Sequence, residues 1–225
     1  MGLCQAQELF GIACHVLLQH IAAEVVPDRP IDDHLGGIRE MSLTVRVIRL
    51  VHQHTRPENV DHRLGLYGDS RLRAIVFSDD SPCHLRDGIF SADQALAAID
   101  AFQGPDAIAF SKSFSDQFLT DDAEESAKEA FYREGLKLPR PYMAKLFRWA
   151  AFGDWWDAYA LVKVPSLVIG GRMSKVPVKI AQGIHEAVPG SSFVVFEADE
   201  GGGHAMFWEG PQKYNDSLRT FMRSY

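Results

Sequence analysis

The chain has 225 residues, of which 46% are hydrophobic and 24% charged, and a formal net charge of -7. That composition fits a single globular domain with a sizeable core, and the negative balance without a dense Lys/Arg run argues against nucleic acid and anionic membranes as partners. No apolar run approaches the ~20 residues of a membrane span. Three cysteines, Cys4, Cys14 and Cys83, lie far apart without metal-ligand spacing. They read as reduced thiols in a cytosol-like compartment, so a cytoplasmic protein without metal or cofactor is expected. The stretch "MGLCQAQELF" has neither the basic start nor the apolar core of a signal peptide.

The first predicted element covers residues 4–26, where Leu9, Ile12, Val16, Leu17 and Ile21 share a broad helical face. "PDRPIDDHLGG" ends it with two prolines and two glycines. Residues 41–54 fit either a strand, through Leu43, Val45 and Val47, or a helix, through Val47, Leu50 and Val51. Residues 1–64 thus form a segment that is hard to organise, and from residue 65 the pattern sharpens. Residues 71–82 read as a short buried strand ending in two acids and a proline. Residues 91–161 read as helical, with breaks at Gly104-Pro105, at Pro139 and Pro141, and near Gly153. A second buried strand is expected at 164–171, a helix at 177–190 with Pro177 near its start, and a third strand at 191–198. A last helix follows His204, with a break near Gly210-Pro211.

Continuous apolar strands alternating with helices imply a parallel sheet covered on both faces. Sites in such sheets lie outside the carboxyl ends of the strands. Asp79, Asp80, Ser174 and His204 all follow strands, so they are expected along one edge. The run "EGGGHAMFWEG" delivers His204 to the start of an amphipathic helix, a setting suited to a general base. A plain helix cap would account for the same residues. The three glycines at 201–203 are not a phosphate loop, since no Lys-Ser/Thr follows.

Residues 65–225 resemble the C-terminal part of α/β-hydrolases, especially small esterases and cofactor-free haloperoxidase-like members. "LYGDSRLRAIVFSDDSP" resembles that fold's sixth strand, the helical stretch at about 90–161 its lid, and "LVKVPSLVIGGRMSKVP" its seventh strand and acid loop. "IHEAVPGSSFVVFEADEGGGHAMFWEGPQKYNDSLRTFM" resembles its last strand, histidine loop and final helix. The resemblance implies a partial α/β-hydrolase fold with a mostly parallel sheet and a lid insertion, beside a divergent helical N-terminus (1–64) that resembles nothing in the family. It implies hydrolysis of a small apolar ester-type substrate, with His204 as the catalytic base. Ser174 stands where the family usually places aspartate. Asp79, after the sixth strand, is the replacement acid that some members of the fold use, although Asp79 and Asp80 also read as turn acids.

The family's G-x-S-x-G elbow occurs nowhere in the chain. "GLCQA", with Cys4, is the nearest small-x-nucleophile-x-small string, and its distance from the sixth strand is far too long. The expectations are therefore two: a hydrolase whose nucleophile is not identified, or a truncated, catalytically inactive domain acting as a binding or interaction module. Without its usual neighbour the sixth strand would expose an edge. "SLTVRVIRLV" (42–51) or a partner chain would cover it, so self-association is expected.

Overall fold

The computed structural model describes residues 20–23 and 73–224. The described residues form a four-stranded sheet of order β1-β2-β3-β4. Its strands are β1 (His20–Ala23), β2 (Ala74–Ser78), β3 (Ser166–Gly171) and β4 (Ser192–Phe196). β2, β3 and β4 run parallel, as their apolar character implies, and β2 and β3 are buried along their whole length.

Side-chain alternation sends the strand residues into two cores. Ile75, Phe77 and Val168 pack on one face with Tyr159 and with Ile180 and Ile184 of α6 (Val178–Ala187). Ala74, Val76, Leu167 and Ile169 pack on the other with Met206 and with Tyr214, Leu218 and Phe221 of α8 (Pro211–Met222). Each fully buried side chain of this size contributes about 1.5–3 kcal/mol, so the three parallel strands are held from both sides. The last helical region is split as expected: α7 (Met206–Glu209) stops at Gly210, and α8 restarts on Pro211.

Between β2 and β3 lie five helices: α1 (Ala92–Ala101), α2 (Ala107–Ser115), α3 (Glu125–Gly135), α4 (Arg140–Phe152) and α5 (Trp156–Tyr159). Ser91 caps α1 in a reciprocal box with Gln94. The expected breaks at Gly104-Pro105, Pro139 and Gly153 fall between helices, whereas Pro141 lies in the first turn of α4, where its missing N–H costs no helical hydrogen bond. A further break at 116–124, a 3-10 turn (Asp116–Phe118) and a loop, was not foreseen. α1 and α4 share a core of their own, with Phe102 and Phe147 at its centre. Phe102 meets Phe110 and Phe114 edge-on at 4.9 and 5.2 Å. The aromatics of α1, α2 and α4 thus pack mainly on one another rather than onto the sheet.

One expectation is overturned. Residues 20–23 were read as the end of a helix, yet they form β1, which pairs antiparallel with β2, His20 opposite Phe77 and Ala23 opposite Ala74. The edge of β2 is therefore covered by this strand. The rest of the expected N-terminal helix, the 42–51 segment and Cys4 lie outside the described residues. Among the described residues no helix is long and apolar enough to cross a membrane.

Candidate functional site

The carboxyl ends of β2, β3 and β4 converge on Asp79. Its backbone N–H donates to the carbonyl of Ile169 at 2.7 Å, extending the β2–β3 ladder by one residue. Asp79 then turns out of the sheet with φ of 51°, the left-handed conformation. Aspartate tolerates that region better than most residues, at a cost of roughly 1–2 kcal/mol. The turn separates the two acids of "SDDSP". Asp79 faces the end of β3 and the loop that follows β4. Asp80 instead accepts hydrogen bonds from the Tyr159 hydroxyl and, at 2.7 Å, from the Ser81 N–H. Of the four residues expected along one edge, the structure brings together Asp79, Ser174 and His204. Asp80 is held apart, as a buried turn carboxylate.

The loop after β3 is zipped to the loop after β4. Arg172 N–H donates to Phe196 O at 3.0 Å, and Met173 N–H to Gly202 O at 2.9 Å. Gly171 permits this approach, because a Cβ there would lie 2.3 Å from Gly202 O and 2.8 Å from Gly203 O. Ser174 comes next. Its hydroxyl donates to Asp79 Oδ2 and accepts the Val176 N–H at 3.0 Å. Asp79 Oδ1 accepts the Gly171 N–H at 3.2 Å.

β4 ends in a 3-10 turn (Ala198–Glu200), closed by Gly201 at φ 75°. The hydrogen bond from Lys213 holds the Glu200 carboxyl below the usual carboxylate range, helped by the Glu197 backbone N–H. The chain then delivers His204. Its Nδ1 lies 2.7 Å from Asp79 Oδ2, with the two side chains 12% and 1% exposed. Two further ties fix the ring. Ala205 N–H donates to Phe118 O at 3.0 Å, and the Phe118 ring sits 4.9 Å from the His204 ring. Glu209 Oε1 accepts both the N–H and the hydroxyl of Thr120, fastening the loop before α3 to the end of α7.

A carboxylate against Nδ1 assigns the ring proton to that nitrogen and leaves Nε2 as the proton acceptor. A buried, hydrogen-bonded carboxylate also stabilises the imidazolium that forms when Nε2 takes a proton. Next to His204 opens a cavity of about 70 Å³, lined mostly by Ile89, Phe90, Phe114, Phe118, Phe147 and Val176. His84, Gln117 and Lys175 supply its polar rim. The sequence pointed to His204 and Asp79 but missed Thr120 and Glu209. Only the spacing of Glu209, five residues beyond His204 on the following helix, hinted at it.

No known protein-family model matches the chain. A stretch of 71 residues, 31% of this chain, is 35% identical to a proline iminopeptidase of Saccharolobus solfataricus and covers 22% of that protein. A bromoperoxidase from Bacillus anthracis superposes over 73% of the chain with a TM-score of 0.66 at 20% identity. An esterase from Exiguobacterium antarcticum superposes over 73% with a TM-score of 0.62 at 22% identity. The chain spans 63% and 62% of those two structures, less than two thirds of their length. Together with the parallel sheet and its helices, these likenesses show that the chain carries part of the α/β-hydrolase fold. It is hydrolase-like in architecture.

Proposed function

We propose that this chain is the base-bearing part of a hydrolase acting on small apolar esters, with His204 as general base and Asp79 as the residue that orients it. The observation carrying this reading is the 2.7 Å contact between Asp79 Oδ2 and His204 Nδ1, made by a carboxylate that is 1% exposed. The ring lines a cavity walled by phenylalanines. At about 70 Å³ this cavity is roughly half the ~150 Å³ in which a protein interior holds benzene. It suits a short acyl chain rather than an aryl group. The helices at about 90–161 act as the lid over it. The substrate is a neutral small molecule, with neither nucleic acid nor membrane as partner, in a cytoplasmic setting. Because β1 covers the edge of β2, this reading does not require self-association through that edge.

A second reading rests on one observation: no G-x-S-x-G turn occurs in the sequence. In that reading the domain is catalytically inactive and serves in binding. Hydrolysis of a p-nitrophenyl acetate series by the purified chain, beside His204→Ala, tests the first. Turnover by the parent and none by the variant supports it. Equal background rates for both, with no labelling by a fluorophosphonate, select the second.

A further inference from the structure

Ser174 occupies the position at which the resemblance led us to expect an acid. We propose that it is a positioning residue: its hydroxyl locks the Asp79 carboxylate in the one orientation that presents Oδ2 to His204. The inference rests on the proposed His204–Asp79 pair and adds to it.

The terminal torsion of an aspartate is broad and roughly two-fold, so a carboxylate with one partner can rotate away from it. Here both oxygens are tied. Gly171 N–H holds Oδ1 at 3.2 Å, and Ser174 holds Oδ2, the same oxygen that meets His204 Nδ1 at 2.7 Å. The serine is itself committed. A hydroxyl has one hydrogen to give and can accept on its oxygen. Ser174 Oγ accepts the Val176 N–H at 3.0 Å, which fixes the oxygen, and its hydrogen goes to Asp79. The Gly171 donor belongs to the main chain and is present whatever side chain the sequence supplies. Ser174 is therefore the side chain through which the sequence sets the carboxylate plane. A neutral residue is required there. An acid at 174 would bring a second negative charge against Asp79, and two carboxylates sharing a site do not both ionise readily.

The test reads the histidine ring and needs no turnover. The chain is labelled with 15N-histidine, and the His204 ring signals are identified by their loss in His204→Ala. The neutral ring in the parent is expected mainly as the Nδ1–H tautomer, with slow exchange of that proton. Ser174→Ala should lower the ratio of Nδ1–H to Nε2–H and speed the exchange, each by about fivefold, the scale of one typical net hydrogen bond. Ser174→Thr, which keeps the hydroxyl, should restore both. Ser174→Cys, similar in shape and a weaker donor, should fall between and covers the case in which the alanine variant does not fold. If Asp79→Asn collapses the tautomer preference while the alanine and cysteine variants leave it intact, the pair stands and the role of Ser174 is overturned. If the parent ring is already the Nε2–H tautomer, the pair itself is absent and the proposal falls with it.

Discussion

Gly171→Ala is a perturbation whose sign the structure decides. At a position that accommodates a Cβ, replacing glycine by alanine stabilises a protein by about 0.4–1 kcal/mol, because the unfolded chain has less freedom to lose. At Gly171 that gain is opposed by contact. The new Cβ would stand 2.3 Å from Gly202 O, 2.8 Å from Gly203 O and 2.9 Å from Gly202 C. All three are backbone atoms, and they belong to the loop that Met173 N–H grips at 2.9 Å. No flexible side chain can swing away, so the histidine loop itself must move. Overpacking of this kind costs about 1–3 kcal/mol. The net expectation is a loss of about 1–2 kcal/mol, read as a lower urea midpoint at unchanged slope. Hydrogen exchange at the Met173 amide should rise by more than global destabilisation explains, since its acceptor is displaced. A variant as stable as the parent, or more stable, would show that the two loops are not packed as described and would refute the argument.

Asp79→Asn should cut any His204-dependent turnover by roughly 10³–10⁴-fold, because the amide neither fixes the tautomer nor balances the imidazolium; steady-state ester hydrolysis checks it. Glu209→Ala strips the Thr120 N–H of its acceptor and should cost about 1–3 kcal/mol, with faster amide exchange at Thr120 and Ala205. Phe147→Ala, in the core of α1 and α4 beside the cavity, should cost about 3–5 kcal/mol in urea unfolding. Burial pushes the Tyr214 phenol up to about 12, against 10.0 for the free group, despite its hydrogen bond to Ser78. The unfolded chain then releases this proton at lower pH than the folded one. The stabilisation is thus complete below pH 10 and is lost as pH rises towards 12. Tyr214→Phe should flatten that alkaline fall, measured by urea titrations at a series of pH values.

The parallel strands and their helices were legible because each is specified by its own residues. β2 and β3 are continuous apolar runs closed by acids or glycines, and α8 is announced by Pro211 and a strong amphipathic face. The placement of His204 and Asp79 along one edge was legible because both follow apolar strands. What escaped depends on partners remote in sequence. Ile21 falls on a helical face with Leu17, yet residues 20–23 are a strand because β2 offers them a ladder, and strand preference follows the neighbours more than the residue. Ser174 read as a lost acid because its contact with Asp79 spans 95 residues. The sequence alone did not single out Glu209, because its acceptor role is defined by Thr120, 89 residues away.

The same remoteness sets a timetable for synthesis. His204 and Asp79 are 125 residues apart. At ribosomal rates of about 5–20 residues per second, the aspartate is made roughly 6–25 s before the histidine exists. Throughout that interval Asp79 must remain hydrated, and the left-handed turn that aims it has neither Gly171, Ser174 nor His204 to hold it until late in the wait. Helices α1 to α4, by contrast, are finished first and can pack on their own aromatic core. The nascent chain therefore builds most of the cavity lining before His204 exists, and any ligand that occupies the half-built space meets the phenylalanines, Ile89, His84 and Gln117 without the His204 ring.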